Sequence, residues 1–237
     1  MLLEIHNILK SFGGLVALSD VSFNLEEGEV VGLIGPNGSG KTTLFNVLSG
    51  FFHPDRGRIV FDGLDITGFK PHRISRLGLV RTFQIPKPLP ELTVLENIRV
   101  AAFMRNRHDR AATLAAEKVL ERIGLNKSGL VPSHKLTYGQ KKMLELGRAL
   151  ATEPKILFLD EIMAGLNSAE TLEVVRLLQN IKKEGQSFIL IEHNMSAVLA
   201  LAQRIIVLNF GMKIADGSPD EVIKSEAVIE AYLGRDQ

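Results

Sequence analysis

The stretch Gly35-Pro36-Asn37-Gly38-Ser39-Gly40-Lys41-Thr42 constrains this chain more than any other feature. It fits G-x-x-x-x-G-K-[ST], follows the apolar run Val30–Ile34 and opens a helical stretch, Thr42–Leu48, that stops at Gly50. That context turns a glycine-rich turn into a phosphate cradle. Glycines let successive backbone N–H groups converge on phosphate oxygens. The helix N-terminus adds the positive end of its dipole. Lys41 supplies a point charge for β- and γ-phosphates, and the Thr42 hydroxyl is a ligand type that suits Mg²⁺.

A second apolar strand, Ile156–Leu159, delivers Asp160 and Glu161 to its C-terminal end, where α/β proteins bind ligands. A strand ending in two carboxylates is weak by itself and strong beside a phosphate loop. Asp160 is placed to hold Mg²⁺, and Glu161 to orient or deprotonate an attacking water. Two more continuous apolar runs, Phe188–Ile191 and Ile205–Leu208, complete the pattern of a buried parallel sheet. Between Ile156–Leu159 and Phe188–Ile191, Val174, Leu177, Leu178 and Ile181 keep helical spacing, with Asn167 and Glu170 set as cap and capping partner. The alternation predicts an α/β fold. The turn-rich stretch Leu2–Leu25, with Gly13-Gly14, reads as a small antiparallel sheet. Pro86–Leu150 reads as an almost wholly helical insert. Ser218-Pro219-Asp220-Glu221 reads as a helix start.

Composition narrows the class. Lys+Arg is 28 and Asp+Glu is 27, so the net charge of +1 argues against a dedicated nucleic-acid binder. The basic cluster Arg105, Arg107, His108, Arg110 is expected to be a solvated face. The absence of cysteine removes disulfides, thiolate metal sites and a cysteine nucleophile. No apolar run reaches membrane-spanning length, and the N-terminus has no signal-peptide pattern, so a cytosolic chain held at a membrane only by a partner is expected.

The phosphate loop alone leaves kinases, GTPases, helicases and transporters open. Three further features choose: Leu136-Thr137-Tyr138-Gly139-Gln140 before a helix, Gln84 in Arg81-Thr82-Phe83-Gln84, and His193 after the strand Phe188–Ile191. In this order and spacing the chain resembles the ATP-binding-cassette (ABC) ATPases over essentially its whole length. Three departures stand out: Tyr138 for the signature loop's first glycine, Ile162 for the usual proline, and Asn167 for aspartate. Thr82-Phe83-Gln84, Leu92-Thr93-Val94-Leu95-Glu96-Asn97, Ala164-Gly165-Leu166-Asn167 and Val228 to Gly234 bring it close to the ATPase subunits of branched-chain amino acid importers. Close relatives of those subunits serve urea, short amides or lipopolysaccharide export.

The resemblance implies a P-loop NTPase (RecA-like) core over 1–85 and 151–217 carrying the antiparallel β subdomain. A helical subdomain would span 86–150 and a helical tail 218–237. It implies ATP and Mg²⁺, with Gly35, Pro36, Asn37, Gly38, Ser39, Gly40, Lys41, Thr42 and Thr43 on the phosphates, Phe12 on the adenine and Val16 near the sugar. Thr42, Asp160 and Gln84 would serve the metal, and Glu161, His193 and Gln84 the hydrolysis. Thr137, Gly139 and Gln140 would reach the ATP of a second protomer. The implied partners are that protomer, integral membrane permeases and, indirectly, a solute-binding protein, at the cytoplasmic face of the inner membrane and without nucleic acid. The surface around Gln84–Pro90, which holds the three-proline segment Ile85–Pro90, is expected to dock the permease. A soluble ABC ATPase acting on DNA or ribosomes usually carries two cassettes or long insertions. A kinase has no use for Leu136–Gln140.

Overall fold

The computed structural model describes residues 1–233; the last four positions, beginning with Gly234 of the importer-like tail, lie outside the described residues. In chain order the strands are β1 (Leu3–Phe12), β2 (Leu15–Leu25), β3 (Val30–Ile34), β4 (Arg56–Phe61), β5 (Leu64–Asp65), β6 (Leu79–Arg81), β7 (Ile156–Asp160), β8 (Ser187–Ile191), β9 (Arg204–Asn209) and β10 (Met212–Gly217). The helices are α1 (Lys41–Leu48), α2 (Pro71–Leu77), α3 (Val94–Ala102), α4 (Asp109–Arg122), α5 (Tyr138–Leu150), α6 (Ser168–Lys183), α7 (Met195–Leu201), α8 (Pro219–Val222) and α9 (Glu226–Leu233).

The strands form two sheets. One is antiparallel, in the order β2-β1-β4-β5. The other runs β10-β9-β3-β8-β7-β6, parallel except for the β10 edge. All four continuous apolar runs are central strands of this larger sheet, and their side chains alternate between two cores. Leu157, Leu159, Phe188, Leu190, Ile205 and Val207 face one core, shared with α3, α4, α5, α6 and α7. Ile156, Phe158, Ile189, Ile191, Ile206 and Leu208 face the other, shared with α1, α2 and the antiparallel sheet. Burial on both faces explains why these strands show no polar alternation.

Local chemistry sets the helix ends. Thr93, Thr137, Asn167 and Ser218 each begin a helix with a full capping box. Consequently α5 starts at Tyr138, inside the Leu136–Gln140 stretch rather than after it. Gly124, in a left-handed conformation, follows α4. The basic cluster Arg105 to Arg110 is exposed, yet Arg105 also braces the fold by donating to the carbonyls of Thr152 (3.0 Å) and Arg76 (3.1 Å).

Candidate functional site

Between β3 and α1 the loop curls tightly because two glycines permit it. Gly35 and Gly40 have φ of 149° and 104°, where a Cβ would strike the Leu208 carbonyl in one case and the Ala17 carbonyl in the other. The turn between β9 and β10 steadies the loop, with Gly211 N–H donating to the Ser39 carbonyl at 3.0 Å. Lys41 is buried and donates to the carbonyls of Gly35 (2.7 Å) and Pro36 (2.9 Å). Burial lowers its pKa, and the charges of Glu161 and Asp160 work against that.

Above the loop lies a cleft of about 380 Å³. Asn37, Gly38, Ser39, Gly40, Lys41, Thr42 and Thr43 form its floor, and Phe12, Val16, Glu161 and His193 form its walls. Phe12 is half-exposed, meets Phe52 edge-on at 5.1 Å and has the Lys10 ammonium over its ring, 5.4 Å from the centre. Phe210 also lines the cleft; as an isolated aromatic in a turn it carried no sequence signal.

Glu161 sits just past β7 with φ of 47°, an unusual conformation for a residue other than glycine and one that tends to mark functional sites. Its backbone is held by the Ile191 carbonyl on β8, at 2.9 Å. One carboxylate oxygen accepts from Gln84 Nε2 at 2.5 Å, and the other stands 3.1 Å from His193 Nε2. The three residues read separately from the sequence therefore meet at one carboxylate.

Asp160 is buried at the end of β7, and Arg81 Nη2 donates to its Oδ2 at 2.6 Å. Arg81 was not expected here. Asp160, Gln84 and Thr42 line one hollow that adjoins the cleft through Thr42. Their donors are carboxylate, amide and hydroxyl oxygens, the hard set that Mg²⁺ prefers. Among the described residues no three His, Cys, Asp or Glu side chains cluster to hold a metal by themselves. This donor set thus fits a metal that arrives with phosphates rather than one caged by protein.

Thr137, Gly139 and Gln140 are not in that cleft. They line a separate cavity with Met143, Leu166 and Glu170. Thr137 Oγ1 accepts from Gln140 N–H at 3.2 Å, and Gln140 Oε1 accepts from Thr137 N–H at 3.0 Å. A Cβ on Gly139 would run into the Glu170 carboxylate. Two buried groups also escaped the sequence reading. Lys142 donates to the Gln84 carbonyl (2.6 Å) and the Glu161 carbonyl (3.0 Å). Glu192 accepts from Met163 N–H at 2.9 Å, and burial raises its pKa.

A phosphate loop between a parallel strand and a helix, with an acidic neighbouring strand, defines a P-loop nucleotide hydrolase. The ABC transporter family matches residues 18–164, and the branched-chain amino acid ATP-binding cassette transporter family matches 212–237. The chain belongs to the ABC transporter family as an ATP-binding subunit, an ATPase whose hydrolysis is coupled to transport. It is 39% identical to the high-affinity branched-chain amino acid transport ATP-binding protein BraF of Pseudomonas aeruginosa, with 98% of each chain covered. To the transport ATP-binding protein LivG of Salmonella typhimurium, also named for high-affinity branched-chain amino acid transport, it is 41% identical, again over 98% of each. The crystal structure of the ADP conformation of an ATP-binding cassette of an ABC transporter superposes with a TM-score of 0.86 at 36% identity, covering 98% of both chains. Among the described residues no helix is long and apolar enough to cross a membrane.

Proposed function

We propose that this subunit powers the uptake of branched-chain amino acids from the cytoplasmic face of a membrane. Two protomers sandwich ATP between them, and permeases hold the pair at the membrane. A solute-binding protein delivers the amino acid from the far side and never touches this chain. The names of the relatives support the solute. One observation carries the hydrolytic reading: the Glu161 carboxylate, held by Gln84 and facing His193, forms a wall of the same cleft whose floor is the phosphate loop.

In this reading Phe12 stacks on the adenine, Val16 touches the sugar, and the loop from Gly35 to Thr43 wraps the phosphates, with the backbone N–H groups of its non-proline residues as donors. Lys41 exchanges the carbonyls of Gly35 and Pro36 for β- and γ-phosphate oxygens. Thr42, Asp160 and Gln84 would hold Mg²⁺, which would supply positive charge against the phosphates. Glu161 accepts the proton of the attacking water, and His193 keeps that carboxylate oriented. Thr137, Gly139 and Gln140 lie outside the cleft and reach the partner's γ-phosphate, so neither chain surrounds ATP alone.

Glu161→Gln tests the reading. It should bind ATP normally, lose turnover by about 10²–10⁴-fold, and shift to a dimer with ATP but not ADP in size-exclusion light scattering. Adding Thr137→Val or Gly139→Ala should abolish the dimer without weakening nucleotide binding by the monomer. Near-normal turnover in Glu161→Gln would refute the role of the glutamate, and loss of monomer affinity in the other variants would refute the trans contact.

A further inference from the structure

Lys142 is the least expected group near the site. It is 1% exposed, on α5, five positions after the Thr137 cap. A buried ammonium ordinarily pairs with a carboxylate. This one makes no ion pair within 4 Å among the described residues. It donates instead to the backbone carbonyls of Gln84 and Glu161, and it stands 5.6 Å from the centre of the Tyr138 ring. Burial lowers its pKa, while the charges of Glu192, Glu161, Asp160 and Glu145 favour its protonated form. Both carbonyls belong to residues whose side chains meet at 2.5 Å, and one of them, Glu161, has the uncommon positive φ. The ammonium thus pins the two backbone segments that present this carboxylate and this amide.

The same helix carries Thr137 and Gly139 at its N-terminal end. On the reading above, that end touches the ATP of the other protomer. A short helix with one end on the partner's nucleotide and a buried cation on its own hydrolytic residues is a mechanical link between two sites. We propose that Lys142 is a positioning residue that couples them: the position of α5, set by the partner's ATP, fixes the Gln84 and Glu161 backbones through Lys142 and so licenses hydrolysis in its own cleft.

The test uses the full-length chain, with its permeases in proteoliposomes. Lys142→Met keeps the length and the packing but removes charge and donors. The change strands no ion-pair partner but leaves the carbonyls of Gln84 and Glu161 without this donor, so far-UV circular dichroism checks the fold of each variant beside its turnover. ATP affinity of the monomer should not change, because Lys142 lies outside the phosphate cleft. In the Glu161→Gln background the ATP dimer should persist. Turnover should fall by roughly 10- to 10²-fold, the size of effect that misplacing a reacting group brings. The Hill coefficient for ATP should drop to about 1, from a wild-type value that the number of sites bounds. Lys142→Arg, which keeps the cation and its donors, should recover turnover and cooperativity at least in part. Wild-type turnover and cooperativity in Lys142→Met overturn the proposal, as does equal loss in the Arg and Met variants. If Glu161→Gln alone forms no ATP dimer, the reading of the site fails; if it does and Lys142→Met behaves as wild type, only the coupling role fails.

Discussion

Arg81→Met should be the most destabilising single change near the site that leaves the phosphate loop untouched. Arg81 Nη2 meets Asp160 at 2.6 Å, and the two side chains are only 7% and 5% exposed. Nη1 donates to Asn46 Oδ1 at 2.5 Å, and the guanidinium lies between the Phe45 and Phe83 rings, 5.8 and 5.5 Å from their centres. At an effective dielectric of about 20 and a charge separation of about 4 Å, the attraction is about 4 kcal/mol. Stranding one partner of such a pair costs about 3–5 kcal/mol. For a chain of 237 residues that lowers Tm by about 6–20 °C. The assay is thermal unfolding by circular dichroism without nucleotide and with chelator. Arg81→Met with Asp160→Asn should recover much of the loss, because no stranded charge remains. On the proposed Mg²⁺ role of Asp160, ATP with Mg²⁺ should stabilise Arg81→Met more than wild type, because the cation would neutralise Asp160 in place of the arginine. A loss under about 1 kcal/mol, or a double variant as unstable as the two singles combined, would refute the argument.

Two further outcomes follow from burial and exposure. Burial raises the Glu192 pKa, so the folded state holds that proton more tightly than the unfolded chain, and the stability it brings is lost as pH rises through the folded pKa. Glu192→Gln keeps the acceptor for Met163 N–H, so it should raise Tm at pH 7–8 and lose that advantage as pH falls into the ordinary carboxylate range; thermal unfolding across pH checks this, and an advantage that grows on acidification would contradict it. Ile85 is 66% exposed, so Ile85→Asp should change stability by less than about 0.5 kcal/mol yet lose co-purification with the permeases; retained association would place the docking surface elsewhere.

The phosphate loop and the central strands were legible because each is local. A spaced glycine-lysine pattern and an unbroken apolar run need no distant partner to be recognised. The strand β6 was not legible, since Leu79-Val80-Arg81 is too short to show a period, and it is a strand only because β7 pairs with it. Arg81 and Lys142 escaped for a related reason. A lone cation carries no spacing, and its meaning comes from groups far along the chain: Asp160 for Arg81, Gln84 and Glu161 for Lys142. For Lys142 there was one readable clue. It lies on the buried stripe of α5, three after Gly139, four before Leu146 and seven before Ala149, where a lysine needs an interior partner. The conspicuous stretch Leu92–Asn97 has a structural explanation as well as a family one. Thr93 and Glu96 cap α3, while fully buried Asn97 accepts from Leu89 N–H at 2.8 Å and donates to the carbonyls of Leu89, Leu92 and Thr93. It anchors the proline segment at its far end and leaves Ile85 outward.

The three departures from the usual cassette pattern each have a local structural setting. Tyr138, where a glycine is usual, lies against Gly165: a Cβ built there would fall 3.0 Å from the tyrosine ring. Gly165 has φ of 79°, so a side chain at that position would meet both backbone strain and the tyrosine ring. Ile162, in place of proline, is 2% exposed and belongs to the core shared with α5 and α6. The rigidity that a proline ring would bring to the strand exit is replaced by burial. Asn167 gives up the charge of aspartate but still accepts from the backbone of Ala169 (2.9 Å) and Glu170 (3.0 Å), and the Glu170 carboxylate in turn lies where a Cβ on Gly139 would meet it. A larger residue at the start of α5 is thus matched by a glycine in the loop after Glu161. That loop enters α6 through Asn167, whose capping partner walls the start of α5. Tyr138 is half-exposed and meets Gly165, so replacing Tyr138 with glycine would remove that contact while leaving the Thr137–Gln140 capping box that starts α5 in place.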